Sequence, residues 1–182
     1  MESKSNNLII FDLDETLIHS TVVELNYPCH FRFDKYYVYE RPLLRSFLDD
    51  IAKHFQIGIW SSAGDEYVQK IAENIMPDTV DPVIVWGRSK CSLRRDTMYD
   101  TYNYEKRLDK LRKKGFSLEQ ILIVDDSPEK ARTNYGNAIY IKEFTGNPGD
   151  GELRFLYSYL LTFKMVDNVR TIEKRGWRES IE

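Results

Sequence analysis

The sequence predicts an α/β fold, a three-layer arrangement of one parallel sheet with helices on both faces. Three observations carry this expectation. Short apolar runs at 8–11 (LIIF), 55–60 (FQIGIW) and 121–124 (ILIV) have the length and β-branched content of strands buried on both sides. Segments with helical spacing of apolar residues lie between them, and that alternation builds a parallel sheet. Each run ends in acids or hydroxyls: Asp12 and Asp14, Ser61 and Ser62, Asp125 and Asp126. In a parallel sheet those ends share one edge, and open α/β sheets bind ligands there.

The elements follow in order. Residues 1–7 read as a disordered lead-in, 8–172 as a single domain and 173–182 as a polar tail. After the first strand, FRFDKYYVYE predicts a small β-hairpin insertion over roughly 29–40. Pro42 suits a first helical position. Leu43, Leu44, Phe47, Leu48, Ile51 and Ala52 keep helical spacing to about His54. Asp65 and Glu66 open a helix through Val68, Ile71, Ala72 and Ile75 that stops before Pro77. Val83–Trp86 reads as a short strand and 87–102 as a polar loop. Tyr104–Lys114 reads as a helix with Tyr104, Leu108 and Leu111 on one face, stopped by Gly115. Ser127 and Pro128 cap and start a short helix. Ala138–Ile141 reads as a strand. From Glu152 to about Val166 the pattern is helical, with Leu153, Leu156, Leu160, Leu161 and Met165 inward, and NVRTI beyond it is strand-like.

Composition narrows the function. Net charge is −3 with 30 % charged residues, a balance that gives no reason to expect a nucleic-acid or membrane partner. No apolar run approaches the ~20 residues of a membrane span. The start, MESKSNNLII, lacks the basic and apolar regions of a secretory signal. Cys29 and Cys91 have no metal-ligand spacing and read as free thiols of a reducing compartment, cytoplasmic, or nuclear in a eukaryote. Neither has an arginine six residues on, since those positions hold Lys35 and Thr97. A cysteine-based phosphate loop is therefore not expected. His19, His30 and His54 show no ligand spacing and read as structural or exposed.

The opening motif carries the chemistry. Alternation along an extended chain sends Asp12 and Asp14 the same way. Two close anions call for a positive partner, and a hard cation such as Mg²⁺ is the natural one. Taken in chain order, Asp12 and Asp14, Ser61, Lys106, and Asp125 and Asp126 suit phosphoryl transfer. One carboxylate can attack phosphorus and a second can protonate the leaving oxygen. A hydroxyl and an ammonium can hold the equatorial oxygens.

FDLDETLIHS and ILIVDDSPEKA resemble the haloacid dehalogenase superfamily of aspartate-dependent phosphatases. More narrowly they resemble the small carboxy-terminal-domain phosphatases, also called NLI-interacting-factor-like, over roughly residues 8–172. The resemblance implies Asp12 as nucleophile and metal ligand, and Asp14 as general acid/base with its main-chain carbonyl on the metal. It implies Ser61 and Lys106 as phosphate ligands, Thr16 in the loop around the phosphate and Arg88 near the substrate. Asp126 would ligate Mg²⁺ directly, and Asp125 would assist through water or hold Lys106. Relatives commonly carry Asp-Asn where this chain has Asp125-Asp126. The segment between Lys106 and Asp125 is long, which leaves Lys110, one turn on, as an alternative to Lys106.

Spacing bears on the substrate. Asp12 and Ser61 are 49 residues apart and Ser61 and Lys106 are 45, leaving no room for a separate cap domain. An open site admits a protruding phosphorylated side chain, so the expected partner is a phosphorylated protein or peptide bearing phosphoserine or phosphothreonine. The hairpin aromatics Phe31, Phe33, Tyr37 and Tyr39 either wall a groove for a proline-containing peptide or simply pack the hairpin. Alternatives are a phosphatase for small phosphate esters or nucleic-acid 3′-phosphates, and a phosphoprotein-binding module without turnover. The sequence leaves oligomeric state open.

Overall fold

The computed structural model describes residues 5–96 and 101–181. The strand β1 (Leu8–Phe11) leads into a small three-stranded insertion, β2 (Ile18–Thr21), β3 (Phe31–Phe33) and β4 (Tyr36–Glu40). Helix α1 (Leu44–Ala52), strand β5 (Gln56–Trp60), helix α2 (Asp65–Ile75) and strand β6 (Val85–Trp86) follow. A second insertion, β7 (Ser92–Asp96) and β8 (Thr101–Glu105), precedes β9 (Ile121–Asp125), helix α3 (Pro128–Ala131), β10 (Ala138–Tyr140) and helix α4 (Glu152–Leu161).

The main sheet has the order β10-β9-β1-β5-β6 and is parallel throughout, as expected. Strand β1 is central. Phe11 pairs with Ile59 on one side and Val124 on the other. The next residue of each strand, Asp12, Trp60 and Asp125, therefore reaches the same edge together. Alternation sends Ile9, Phe11, Ile57, Ile59, Leu122 and Val124 toward the core that α1, α2 and α4 complete. Leu8, Ile10, Ile121 and Ile123 face the other way, onto Leu108, Leu111 and Ala131. Both faces are covered, one by full helices and the other by short turns.

Gly58 has a packing reason. A Cβ there would stand 2.7 Å from Ile10 Cδ1 and 2.8 Å from Ile84 Cγ1. Gly58→Ala is expected to cost about 1–3 kcal/mol by overpacking. Urea melts would measure it, and an unchanged midpoint would contradict this packing.

Several elements differ from expectation. The hairpin at 29–40 is present, but β2 adds a third strand antiparallel to β4. Its four residues, IHST, are too few and too polar to stand out. Pro42 precedes the helix, because Leu43 takes a left-handed conformation (φ 69°) and α1 begins at Leu44. The polar stretch 87–102 is no simple loop. It holds a 3₁₀ turn at Arg88–Lys90 and the antiparallel pair β7–β8; residues 97–100 lie outside the described residues. Arg94 and Arg95 hide the strand alternation because this hairpin stands apart from the core.

The segment from Tyr104 is not an α-helix either. Tyr104 and Glu105 close β8, and a 3₁₀ helix spans Leu108–Lys114. Leu108 and Leu111 are both buried, a spacing of three that suits the tighter turn. Gly115, at φ 88°, ends it as expected. Helix α4 stops at Leu161, and Met165 points out, 86 % exposed. The Asn7 amide explains that exit, since it donates to the Phe163 and Val166 carbonyls at 3.0 and 2.9 Å. Residues 5–7 are thus docked rather than loose. NVRTI contains a 3₁₀ turn, Val169–Thr171, instead of a strand. The segment after 172 also packs. Trp177 is buried and donates to the Tyr140 carbonyl, and the Lys174 ammonium donates to three main-chain carbonyls. Among the described residues no helix is long and apolar enough to cross a membrane.

Candidate active site

The acidic loop grows directly out of β1. The Asp12 amide extends the parallel ladder by donating to the Val124 carbonyl (3.0 Å), which fixes Asp12 beside β9. The chain then turns tightly, with the amides of Thr16, Leu17 and Ile18 all reaching the Leu13 carbonyl. Glu15 takes φ 60° within that turn. Thr16 is buried and its hydroxyl serves Asp126 twice, accepting from its amide at 3.1 Å and donating to Oδ1 at 3.3 Å. The hydroxyl that was expected beside the phosphate is thus engaged in joining two strand-end loops.

Asp125 ends β9 and is fully buried. Its Oδ1 accepts from the Ser127 amide at 2.9 Å, and the Ser127 hydroxyl donates to Asp126 Oδ2 at 3.1 Å. Pro128 starts α3 as expected, but Ser127 does not cap it with its side chain. Carboxylate oxygens of Asp12, Asp125 and Asp126 lie within 4.8 Å of one another. The side chain of Asp14 is outside that trio and bonds to the Tyr67 hydroxyl instead.

Lys106 is fully buried, its ammonium 2.5 Å from Asp12 Oδ1 and 2.6 Å from Asp125 Oδ2. It reaches them from the chain just after β8, where its amide donates to the Lys130 carbonyl and its carbonyl accepts from the Asn134 amide. Lys110 turns elsewhere, donating to the Lys90 carbonyl. A second ammonium, Lys130, lies 3.2 Å from Asp12 Oδ2, 3.8 Å from Asp125 and 3.7 Å from Asp126. It does not stand out in the sequence, since a lysine on a short helix is ordinarily solvated. Its one signal was the four-residue spacing from Asp126, which brings side chains together on a helix.

Ser61 follows β5 and is buried at 2 % exposure. Its amide donates to the Trp86 carbonyl and its hydroxyl accepts from the Ala63 amide at 3.1 Å. Arg88 braces the same loop from outside. Its amide donates to the Ala63 carbonyl, its Nε to the Ser62 carbonyl, and its guanidinium stands 5.1 Å over Tyr104.

Four carboxylates, Asp12, Asp14, Asp125 and Asp126, meet two ammonium groups, so negative charge is in excess. The titration of the acids registers it. Burial pushes Asp125 up to about 6, with Asp12 adding to the effect. Burial and then Asp14 and Asp126 push Glu15 up to about 7. Burial also raises Asp14, and neighbouring Asp12 adds to that. Asp12 goes the other way: burial opposes its charge, but Lys106 and Lys130 together outweigh burial. A cluster of hard oxygen donors with surplus negative charge fits a hard divalent cation.

The whole arrangement, an ionised aspartate at the end of a central strand with further acids and a buried lysine, can be compared with known proteins. A carboxy-terminal-domain small phosphatase-like protein 2 from Dictyostelium discoideum is 29 % identical over 89 % of this chain and 28 % of its own length. The human carboxy-terminal domain RNA polymerase II polypeptide A small phosphatase 1 is 27 % identical over 90 % of this chain and 62 % of its own. The chain thus spans less than two thirds of either relative. A haloacid dehalogenase-like family hydrolase from Xanthomonas campestris shares the fold, with a TM-score of 0.53 at 12 % identity, over 89 % of this chain and 97 % of that one. The family model for NLI interacting factor-like phosphatases matches residues 7–170, and the chain belongs to that family.

Proposed function

We propose that the chain is a Mg²⁺-dependent protein phosphatase for phosphoserine and phosphothreonine, working through a phosphoaspartate on Asp12. One observation carries this: Asp12 is held ionised at the edge of the sheet by two ammonium groups, inside a trio of carboxylates. Its carboxylate oxygen bonds to phosphorus as the bond from phosphorus to the seryl or threonyl oxygen breaks. Protonated Asp14 gives its proton to that leaving oxygen. Asp14, now a carboxylate, takes a proton from water as the water oxygen attacks phosphorus, which frees Asp12 and inorganic phosphate. Mg²⁺ held by Asp12, Asp126, the Asp14 carbonyl and, directly or through water, Asp125 would screen the nucleophile from the phosphate. Lys106 orients Asp12 and, with Ser61, balances charge on the phosphoryl oxygens. Thr16 ties Asp126 to the acidic loop, and Arg88, which braces the Ser61 loop, would meet the substrate.

Relatives named for the tail of RNA polymerase II support a protein substrate. The insertions between sheet strands are small β-sheets, consistent with a site that admits a phosphorylated side chain. The test is phosphate release from a phosphoserine and phosphothreonine peptide library with Mg²⁺. Peptides turned over faster than small phosphate esters are expected. Faster turnover of the esters would replace the protein substrate with a metabolite, and no release from either would leave a binding module. Chelation should abolish release. Mg²⁺ at a hundredfold over its Kd should stabilise the fold by about 2.7 kcal/mol, a rise in Tm of roughly 5–10 °C. An unmoved Tm would argue against a cation among these carboxylates.

A further inference from the structure

Tyr67 sits in the first turn of α2, directly after the Ser61 loop, and its hydroxyl lies 2.5 Å from Asp14 Oδ1. The Ser20 hydroxyl, on β2, is 2.5 Å from the same phenol oxygen. A tyrosine has one hydroxyl proton. An ionised Asp14 can only accept that proton, and a protonated Asp14 still accepts it at Oδ1 when its own proton is on Oδ2, so in both states Ser20 donates to Tyr67. The chain of donation therefore runs in one sense, from Ser20 to Tyr67 to Asp14. The phenol ring is clamped edge-on by two hairpin aromatics, Phe33 at 5.6 Å and Tyr36 at 6.0 Å between centroids. The three-stranded insertion thus reaches Asp14 through one rigid ring.

We infer that Tyr67 is the positioning residue for Asp14, holding one carboxylate oxygen as an acceptor so that the transferable proton resides on the other oxygen. This rests on Asp14 being the acid of the reaction above. Tyr67 acts through Asp14 in this reading, and not on the phosphate. It selects which oxygen of Asp14 carries the proton and keeps the carboxyl from turning. Ser20 and the two rings hold Tyr67 in place.

A leaving-group comparison tests this. p-Nitrophenolate leaves phosphorus without help from an acid, whereas a seryl alkoxide needs the proton. Wild type, Y67F, S20A and D14N are compared by kcat/KM on p-nitrophenyl phosphate and on a phosphoserine peptide. Y67F keeps the ring and loses only the hydroxyl. It is expected to lose about tenfold or more on the peptide and less than about threefold on the aryl ester, with S20A milder in the same sense. In the D14N background, Y67F should cost nothing further on the peptide. Equal losses on both substrates, no loss, or an additive loss in the D14N background would each overturn the inference. D14N separates the two levels: selective loss in D14N but not in Y67F sinks Tyr67 alone. Equal loss in D14N on both substrates sinks the acid role of Asp14, and Tyr67 with it.

Discussion

Replacing Asp12 by asparagine is expected to lower phosphate release by about 10⁴-fold or more while leaving the fold intact. The amide is nearly isosteric but neutral, and its oxygen cannot form the phosphoaspartate. The side chain sits at 1 % exposure, so no neighbouring water can take its place without rebuilding the strand end. Lys106 keeps Asp125 at 2.6 Å, and Lys130 keeps Asp125 and Asp126, so neither ammonium is stranded. Steady-state release from a phosphopeptide, with circular dichroism as the check on folding, measures the effect. A D12N protein that retained more than about a hundredth of wild-type activity would rule out Asp12 as the nucleophile.

The largest expected effect on stability lies at Arg41, which is 1 % exposed. Its guanidinium makes a two-pronged pair with Asp150, Nε to Oδ1 at 2.8 Å and Nη2 to Oδ2 at 2.9 Å. It also donates to the Thr16 carbonyl at 2.9 Å and the Lys142 carbonyl at 2.8 Å, and stands over Phe144. Arg41→Met keeps much of the volume but leaves Asp150 without its charged partner and two carbonyls without their donor. The expected cost is about 3–5 kcal/mol, a fall in Tm of roughly 10 °C for a chain of this size. Arg41→Lys should recover little, because an ammonium cannot serve the fork. Activity should fall as well, since Arg41 holds the carbonyl of Thr16 in the acidic loop. Denaturant melts decide the matter; a loss under about 1 kcal/mol would show the pair to be incidental.

What could be read from the chain follows how each element is stabilised. Strands β1, β5 and β9 are buried on both faces, so their apolar runs are continuous and their ends locate Asp12, Ser61, Asp125 and Asp126. Helix α2 was equally plain because one face is buried and Pro77 stops it. The pair β7–β8 escaped notice because it is held by its own ladder and carries charges where a buried strand would carry apolar residues. Lys106 falls in a stretch with helical spacing but lies after a strand, and its place among the candidate residues follows from order along the chain. Lys130, Tyr67 and Arg41 do not stand out in the sequence, for a common reason. Asp12, Asp14 and Asp150 lie 118, 53 and 109 residues away from them, and apart from the spacing of Lys130 from Asp126 nothing local marks these residues as partners of distant carboxylates.

The main-chain bonds that fix Lys106 have a consequence for how this domain can vary. Its amide and carbonyl are fastened to the Lys130 carbonyl and the Asn134 amide, so α3 and the turn after it set the position of its ammonium. The ribbon arriving from β8 merely delivers the residue to that anchor. The outer part of that ribbon, where Arg95 pairs with Tyr102, is thus not what holds the ammonium in place. Exposed side chains there, such as Tyr102, are the natural place to rewrite contacts to a partner with turnover preserved.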